Sequence, residues 1–262
     1  MTPIRIALWS GPRNISTAMM RAFENRPDTA VVDEPFYAAW LKESGADHPM
    51  REEVLLSQPT DPAAVAAALL GPAPGGRAIF YQKHMAHHMT PAMDLSWMAG
   101  CRNAFLIRPP EEVLASYAVR RAGAEVTLAD VGFERQAELF DREAQRLGVA
   151  PPVIEARDVL AGPEAALTAL CEAVGIAFSP AMLAWPAGRR TSDGVWAPAW
   201  YDAVERSTGF AAPRPAPSMG GLDPVLRPVA EAARPFYERL AAHRLRVSLA
   251  GGSQNDGRSG SA

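Results

Sequence analysis

The feature that most constrains this chain is its first segment, where a short apolar run leads through a glycine-containing loop into a helical pattern. Residues 4–9 are apolar or β-branched for the most part and end at Ser10-Gly11-Pro12. In residues 15–23 the apolar side chains recur at helical spacing. The segment therefore predicts a buried strand, a loop and a helix in that order.

Further strand patterns alternate with helical patterns along the rest of the chain. Strands are expected at residues 29–32, 78–81, 104–107 and 153–156. Helices are expected at residues 61–70, from 109 onwards, at 128–147, at 163–174 and at 224–246. This alternation predicts an α/β fold with three layers, in which helices cover both faces of a mostly parallel sheet.

The domain organisation follows from the length and from local composition. We expect one domain over residues 1–250 and a disordered Gly/Ser/Asn-rich tail at 251–262,. Residues 186–224 are rich in Pro, Gly, Arg and Trp, and we expect a long loop with one or two helical turns near Trp200,. A loop of this length is often functional, and here it is interpreted as a lid.

Charge and composition narrow the classes of function. The net charge of −3 argues against a general nucleic-acid-binding surface,. Cys101 and Cys171 give neither a disulfide framework nor a metal cluster, and we expect buried free thiols,. No stretch approaches the roughly 20 apolar residues that a membrane span requires. We expect a cytoplasmic protein that does not interact with membranes.

The loop after the first strand has the properties of a phosphate site. Backbone N–H groups of such a loop and the start of the following helix attract anions. The predicted phosphate-binding residues are Gly11, Pro12, Arg13, Asn14, Ile15, Ser16 and Thr17. The segment lacks the Gly-Lys-Ser/Thr of a Walker A loop and is not Gly-x-Gly-x-x-Gly, so ATP hydrolysis and dinucleotide binding are both disfavoured.

A second phosphate-binding element is predicted further along the chain. Arg108 ends the strand pattern at 104–107, and Ser116 follows about two turns into the next helix,. Arginine suits bidentate recognition of phosphate. Ser116 can face the same side as the loop that carries Arg108, so the two side chains are candidates for one site.

Together these segments resemble the sulfotransferase family that uses 3′-phosphoadenosine-5′-phosphosulfate, in its bacterial branch. Residues 12–17, Pro-Arg-Asn-Ile-Ser-Thr, resemble the family's Pro-Lys-Ser-Gly-Thr-Thr loop for the 5′-phosphosulfate, with Arg13 in place of lysine. Arg108 and Ser116 resemble its Arg-x(7)-Ser element for the 3′-phosphate. The resemblance implies a P-loop NTPase-like sulfotransferase fold with that nucleotide as co-substrate.

Other segments carry the resemblance onto further residues. Glu34 falls where many family members carry a base, and Gln82-Lys83-His84 is similar to the family's Lys-Thr-His segment, with either Lys83 or His84 aligned. Residues 188–196 resemble the loop that closes over the nucleotide, which implies binding roles for Arg189 and Arg190.

Sulfuryl transfer requires alignment, cationic stabilisation and a base. We expect Arg13 to neutralise the leaving 5′-phosphate and Lys83 to donate to the group in transfer. The base is either Glu34 or one of the histidines, which are His84, His87 and His88. A metal is not expected, because the remaining histidines, His48 and His243, lie outside any ligand motif.

The predicted function is transfer of a sulfuryl group from the nucleotide to a hydroxyl or amine of a small molecule. The alternatives are a P-loop kinase-like enzyme and a non-catalytic nucleotide-binding module. Candidate residues for the acceptor pocket are Phe36, Tyr37, Trp40, Trp196, Trp200 and Tyr201. We expect no nucleic-acid partner, and a homodimer is possible.

Overall fold

A five-stranded parallel sheet forms the centre of the computed structural model, which describes residues 2–120, 125–213, 215 and 217–247. The strands are β1 (Ile4–Ser10), β2 (Thr29–Asp33), β3 (Ile79–Met85), β4 (Arg102–Ile107) and β5 (Val153–Glu155). Their order is β2-β3-β1-β4-β5, with every neighbouring pair parallel. All five strand predictions are confirmed, and β3 continues beyond its predicted end at residue 81. The predicted tail at 251–262 lies outside the described residues, and the extent of the domain stays a prediction.

Helices connect the strands, and further helices come after the last strand in the chain. They are α1 (Ser16–Glu24), α2 (Tyr37–Ser44), α3 (Arg51–Ser57), α4 (Pro62–Leu70), α5 (Pro110–Arg120), α6 (Leu128–Val131), α7 (Phe133–Leu147), α8 (Ala156–Ala161), α9 (Pro163–Ala173), α10 (Ala197–Trp200), α11 (Asp202–Glu205) and α12 (Arg227–Ala241). Short 3₁₀ turns lie at Pro74–Gly76, Ala86–His88, Ser96–Gly100, Pro180–Leu183, Met219–Gly221 and Pro224–Leu226.

The predicted helix at 128–147 is two helices, so that prediction is wrong at its first turn. Gly132 separates α6 from α7 with φ 67°, a left-handed conformation that glycine adopts without steric cost,. Thr127 begins α6 with a capping box to Asp130,. The break turns the chain so that α7 packs beside the 3₁₀ turn at Ala86–His88.

Alternation along the strands divides the core into two apolar layers. On β1, Ala7 and Trp9 belong to the layer covered by α4, α7 and α12, whereas Ile6 and Leu8 belong to the layer covered by α1, α8 and α9,. All four side chains are fully buried. Helices therefore cover both faces of the sheet, which confirms the three-layer α/β prediction.

The parallel arrangement places functional segments at one edge. Because β1, β2, β3 and β4 run in the same direction, the segments after Ser10, Asp33, Met85 and Ile107 all leave the carboxyl edge of the sheet,. These segments contain most of the predicted site residues. No helix in the described ranges is long and apolar enough to cross a bilayer.

Candidate active site

A cavity of about 260 Å³ lies at the carboxyl edge of the sheet. Its lining combines the phosphate loop (residues 12–17), the ends of β2 and β3, residues of α5, and the late segment of the chain (residues 186–224). The lining residues include Pro12, Arg13, Asn14, Ile15, Ser16, Thr17, Glu34, Tyr37, His48, Lys83, His87, His88, Arg108, Ser116, Tyr117, Trp200, Tyr201, Val204 and Phe210. Segments far apart in sequence therefore share one concave site.

The phosphate loop has an unusual backbone for its sequence. Arg13 has φ 58° and Ile15 has φ 46°, although neither is glycine and isoleucine is β-branched,. The Asn14 amide donates to the backbone oxygen of Leu106 at 2.7 Å, which fixes the loop to β4. Helix α1 begins directly afterwards at Ser16. The loop therefore leads into a helix N-terminus at the cavity wall, an arrangement that favours an anion.

Arg108 and Ser116 both contact Arg13 of this loop. Arg108 Nη1 donates to the Arg13 backbone oxygen at 2.8 Å, and Arg13 Nε donates to Ser116 Oγ at 3.0 Å. Arg108 Nε also donates to Glu112 Oε2 at 2.8 Å, and Glu112 accepts at its other oxygen from Arg157 at 2.5 Å. The two predicted phosphate elements form one connected group, with Arg108 held between the loop and Glu112.

A buried ionic cluster forms the floor of the cavity. Lys83 Nζ donates to Asp33 Oδ1 at 2.8 Å, to Glu34 Oε1 at 2.7 Å and to Tyr201 Oη at 2.7 Å. The side chains of Asp33 and Lys83 are each 1% exposed, whereas that of Glu34 is 11% exposed. Glu34 itself has φ 41°, so the chain turns sharply after β2 and directs this residue to the cavity.

Burial and neighbouring charges shift the proton affinities in this cluster. Burial raises the pKa of Glu34, and the charge of Asp33 adds to that rise, although Lys83 acts against it,. Burial alone would lower the pKa of Lys83, but Asp33 and Glu34 outweigh that effect and raise it. Burial raises the pKa of the Tyr201 phenol well above its ordinary value. The cluster therefore contains a protonated lysine and a glutamate with increased affinity for a proton.

Three histidines and several aromatic rings form another wall. His88 stacks on Tyr37, with ring centroids 4.6 Å apart, and on Trp40 at 4.9 Å, while His48 stacks on Trp200 at 5.4 Å. Burial lowers the pKa of His87 to about 3, and that of His88 falls well below its ordinary value for the same main reason. Neutral imidazoles with such low proton affinity are poor bases near neutral pH.

The late segment is attached to the site by buried polar contacts. Arg21 of α1 pairs with Asp193 at 2.6 Å, and both side chains are fully buried. The Gly194 N–H donates to Asp33 Oδ2 at 3.2 Å, and Arg13 Nη1 donates to the Trp200 backbone oxygen at 3.4 Å. Helical turns occur at α10 and α11, as predicted near Trp200. Movement of residues 186–224 as a lid stays a prediction.

The arrangement of two phosphate elements and an acid–lysine cluster on a parallel sheet agrees with a family match over residues 4–244, whose description is sulfotransferase domain. The chain belongs to the sulfotransferase domain family. Solved structures agree in fold. The sulfotransferase domain from the curacin biosynthetic pathway matches with TM-score 0.50, 15% identity and coverage of 88% of this chain and 98% of that one. The sulfotransferase from Alicyclobacillus acidocaldarius matches with TM-score 0.51, 14% identity and coverage of 93% and 97%.

Two curated relatives come from Arabidopsis thaliana. Branched-chain-amino-acid aminotransferase-like protein 2 is 32% identical over 238 residues, which is 91% of this sulfotransferase-domain chain and 41% of the relative. Branched-chain-amino-acid aminotransferase-like protein 1 is 34% identical over 241 residues, or 92% and 42%. The chain thus spans about two fifths of the length of these relatives, and their names describe no activity of this chain.

One predicted catalytic residue of this sulfotransferase-domain chain, His84, lies away from the cavity. Side chains alternate along β3, so His84 points to the face opposite Lys83 and is absent from the cavity lining,. Its ring stacks on Trp9 at 4.4 Å and its Nε2 contacts Gln82 Oε1 at 3.3 Å. Burial lowers its pKa to about 3. His84 is therefore a core histidine.

Three predicted binding residues also lie outside the lining. Arg189 is exposed, and Arg190 donates to the Pro186 backbone oxygen at the surface, so neither reaches the cavity. Gly11 serves the loop sterically, because a Cβ there would lie 2.6 Å from the Val131 backbone oxygen. The other predicted residues, from Pro12 to Thr17 with Arg108 and Ser116, line the cavity, and their binding roles stay predictions.

Lys83 was expected to donate a hydrogen bond to the group in transfer, and its contacts in the structure differ from that expectation. All three of its N–H groups donate within the cluster, so none points to a group in transfer in this conformation,. Through one of these bonds Lys83 holds Glu34, which also lines the cavity. Sequence reasoning missed Asp33 and the hydroxyl role of Tyr201. Asp33 could have been predicted, because it lies beside Glu34 at the end of a strand. No sequence feature near Tyr201 predicts that its hydroxyl joins this cluster.

Among the candidate acceptor residues, the structure separates lining from core. Tyr37, Trp200 and Tyr201 line the cavity, whereas Phe36 and Trp196 pack in the core. In the described part of the chain no three His, Cys, Asp or Glu side chains group as a metal site. The absence of a metal from the reaction stays a prediction.

Proposed function

We propose that the chain transfers a sulfuryl group from 3′-phosphoadenosine-5′-phosphosulfate to a hydroxyl or amine of a small molecule. The observation that carries this proposal is the convergence of two phosphate elements and a proton acceptor on one cavity. Residues 12–17 suit the 5′-phosphosulfate, Arg108 with Ser116 suits the 3′-phosphate, and Glu34 lies in the same lining.

The residues present fit the donor nucleotide. The phosphate loop and the start of α1 attract one phosphate group, and Arg13 adds a full positive charge. Arg108 uses two of its N–H groups on Arg13 and Glu112, and the other N–H groups have no partner among the described residues. We assign these N–H groups to the 3′-phosphate, a group that a nucleoside triphosphate lacks.

The proposed transfer breaks the S–O bond to the 5′-phosphate and forms a new S–O or S–N bond to the acceptor. Negative charge grows on the departing phosphate, where Arg13 and the loop stabilise it. The acceptor loses a proton, and Glu34 takes it. We prefer Glu34 to His87 or His88 because burial raises the pKa of the carboxyl and lowers those of the imidazoles,.

A thermal-shift comparison tests the nucleotide. Adenosine 3′,5′-bisphosphate at 100 times its Kd is expected to stabilise the protein by about 2.7 kcal/mol, or about 5–10 °C in Tm. ATP and adenosine 5′-phosphate at the same concentration are expected to give smaller shifts. Equal shifts with ATP and the bisphosphate would contradict the 3′-phosphate site and favour the kinase-like alternative.

Incubation with ³⁵S-labelled donor and a panel of small alcohols, phenols and amines tests the reaction. Label is expected in one class of acceptor, and its appearance should require Glu34. Binding of the bisphosphate with no transfer to any acceptor would favour the non-catalytic nucleotide-binding module. A small-molecule acceptor, the lack of a nucleic-acid or membrane partner, and a homodimer remain part of this proposal.

A further inference from the structure

Two adjacent carboxylates in the cavity floor differ in how fully they are hydrogen-bonded. Asp33 accepts from Lys83 at Oδ1, and from Tyr201 at 2.7 Å and the Gly194 N–H at 3.2 Å at Oδ2. Glu34 accepts from Lys83 at Oε1, while its Oε2 has no hydrogen-bond donor among the described residues and lies 4.0 Å from His88 Nε2. Both oxygens of Asp33 thus accept hydrogen bonds from the protein, whereas Glu34 has one oxygen available to a ligand.

The Tyr201 hydroxyl has a defined direction in this cluster. Lys83 Nζ donates to it at 2.7 Å and Trp196 Nε1 donates to it at 3.0 Å. Two incoming donors occupy both lone pairs of the oxygen, so its own proton must point to a carboxylate. Asp33 Oδ2 at 2.7 Å is the nearer acceptor, and Glu34 Oε1 at 3.4 Å is the more distant one.

We propose that Tyr201 is a positioning residue whose hydroxyl holds Asp33 and Lys83 together, so that Glu34 Oε2 is the proton acceptor of the site. The role of Glu34 as acceptor of a substrate proton rests on the proposed function. The hydrogen bonds that assign the two carboxylates different roles do not depend on it. Two carboxylates of one site can take separate roles when their surroundings differ.

Tyr201 belongs to the late segment and lies far in sequence from the other members of the cluster. The buried pair of Arg21 and Asp193 fixes the start of this segment to α1, and Trp196 is buried beneath Tyr201. The proton acceptor is therefore complete only when residues 193–201 are docked.

The ionisable groups that face Glu34 come from four segments. They are Asp33 on its own strand, Lys83 on β3, His88 on the turn after β3, and Tyr201 from the late segment. Loss of the Tyr201 hydroxyl removes one hydrogen-bond donor from the anionic carboxylates. The midpoint at which Glu34 binds a proton should then move to higher pH.

Selective ¹³C-carboxyl labelling of glutamate tests this without an acceptor. The Glu34 signal is assigned by its loss in Glu34→Gln and is titrated in the wild type, in Tyr201→Phe and in Tyr237→Phe. The last variant is the matched control, because Tyr237 donates to the buried Glu155 at 2.9 Å outside the cavity lining. The Glu34 midpoint is expected to rise only in Tyr201→Phe, while the Kd of adenosine 3′,5′-bisphosphate, measured by calorimetry, changes less than about twofold.

Turnover supplies an independent measurement once an acceptor is found. Tyr201→Phe is expected to lower kcat about tenfold and to move the acidic limb of the pH profile upward, with little change in KM. An unchanged Glu34 midpoint in Tyr201→Phe would overturn the assignment, as would equal changes in Tyr237→Phe.

A second variant keeps the inference testable if Tyr201→Phe does not fold. Trp196→Phe retains the phenol and removes one of its two donors, so a smaller shift in the same direction is expected. No shift in that variant would count against the assignment. Failure to bind the bisphosphate in the wild type would refute the proposed function alone, since the Glu34 titration stands apart from it.

Discussion

Replacement of Arg108 by alanine should distinguish the contribution of the 3′-phosphate to nucleotide binding from that of the 5′-phosphate. Arg108 lies between the Arg13 backbone oxygen and Glu112, and its side chain is 22% exposed. Two of its five N–H groups are used in these contacts, and the other three have no partner in the part of the chain that the structure describes,. A 3′-phosphate is expected to take two of them in a bidentate contact.

The magnitude follows from those contacts. Hydrogen bonds to charged groups contribute about 1.5–3 kcal/mol each, and solvent screening at this partly exposed side chain reduces the total for the pair to about 2–3 kcal/mol. That value corresponds to about a 30- to 150-fold increase in Kd for adenosine 3′,5′-bisphosphate. Loss of the contact with Arg13 affects the 5′-phosphate loop as well, so it should weaken adenosine 5′-phosphate to a smaller and separately measurable extent.

Titration calorimetry with both nucleotides measures the effect as a ratio. Arg157→Ala is the matched control, because Arg157 pairs with the same Glu112 at 2.5 Å and does not line the cavity. We expect the ratio of the two Kd values to change in Arg108→Ala and to stay constant in Arg157→Ala. A uniform loss for both nucleotides, or an equal loss in the control, would refute the assignment of Arg108 to the 3′-phosphate.

Three further changes probe the loop and the cluster. Glu34→Gln should lower the rate of transfer by about 10²- to 10⁴-fold with bisphosphate binding retained, and normal transfer in this variant would exclude Glu34 as the base. The wild-type rate should fall on acidification at a higher pH than for an exposed glutamate, because the base must be ionised and the pKa of Glu34 is raised,. Lys83→Met leaves Asp33 and Glu34 without their cation and should cost about 3–5 kcal/mol in urea unfolding, so a stability equal to wild type would contradict the ionic cluster,. Gly11→Ala places a Cβ 2.6 Å from the Val131 oxygen and should cost about 1–3 kcal/mol, measured by the same unfolding, with a neutral result arguing against that close approach,.

Local patterns were sufficient to predict the framework of the fold. Strand positions followed from short apolar runs, because strands of a parallel sheet that are covered on both faces are rich in apolar residues. The phosphate loop and Arg108 were recognisable because each sits where a strand ends, and parallel strands end at one edge. The helix break at Gly132 was missed, although a glycine within a helical pattern is a known signal.

The ionic cluster was beyond local patterns. Tyr201 is 168 residues from Asp33, and the hydrogen bond between them depends on how the late segment folds back. The position of His84 follows from a different rule. Residues 83 and 84 are neighbours on one strand, so only one of them can face the cavity, and the alternation rule already required a choice between them.

The left-handed backbone at Arg13 and Ile15 has a consequence for engineering. Non-glycine residues in this region cost of the order of 1–3 kcal/mol each, and the remainder of the fold must offset that cost,. Selection for higher melting temperature in the absence of ligand should therefore favour glycine or asparagine at these positions, which relax the turn. Such variants gain stability and lose a preformed anion site, so a search for robust versions of this protein should be run with the nucleotide present.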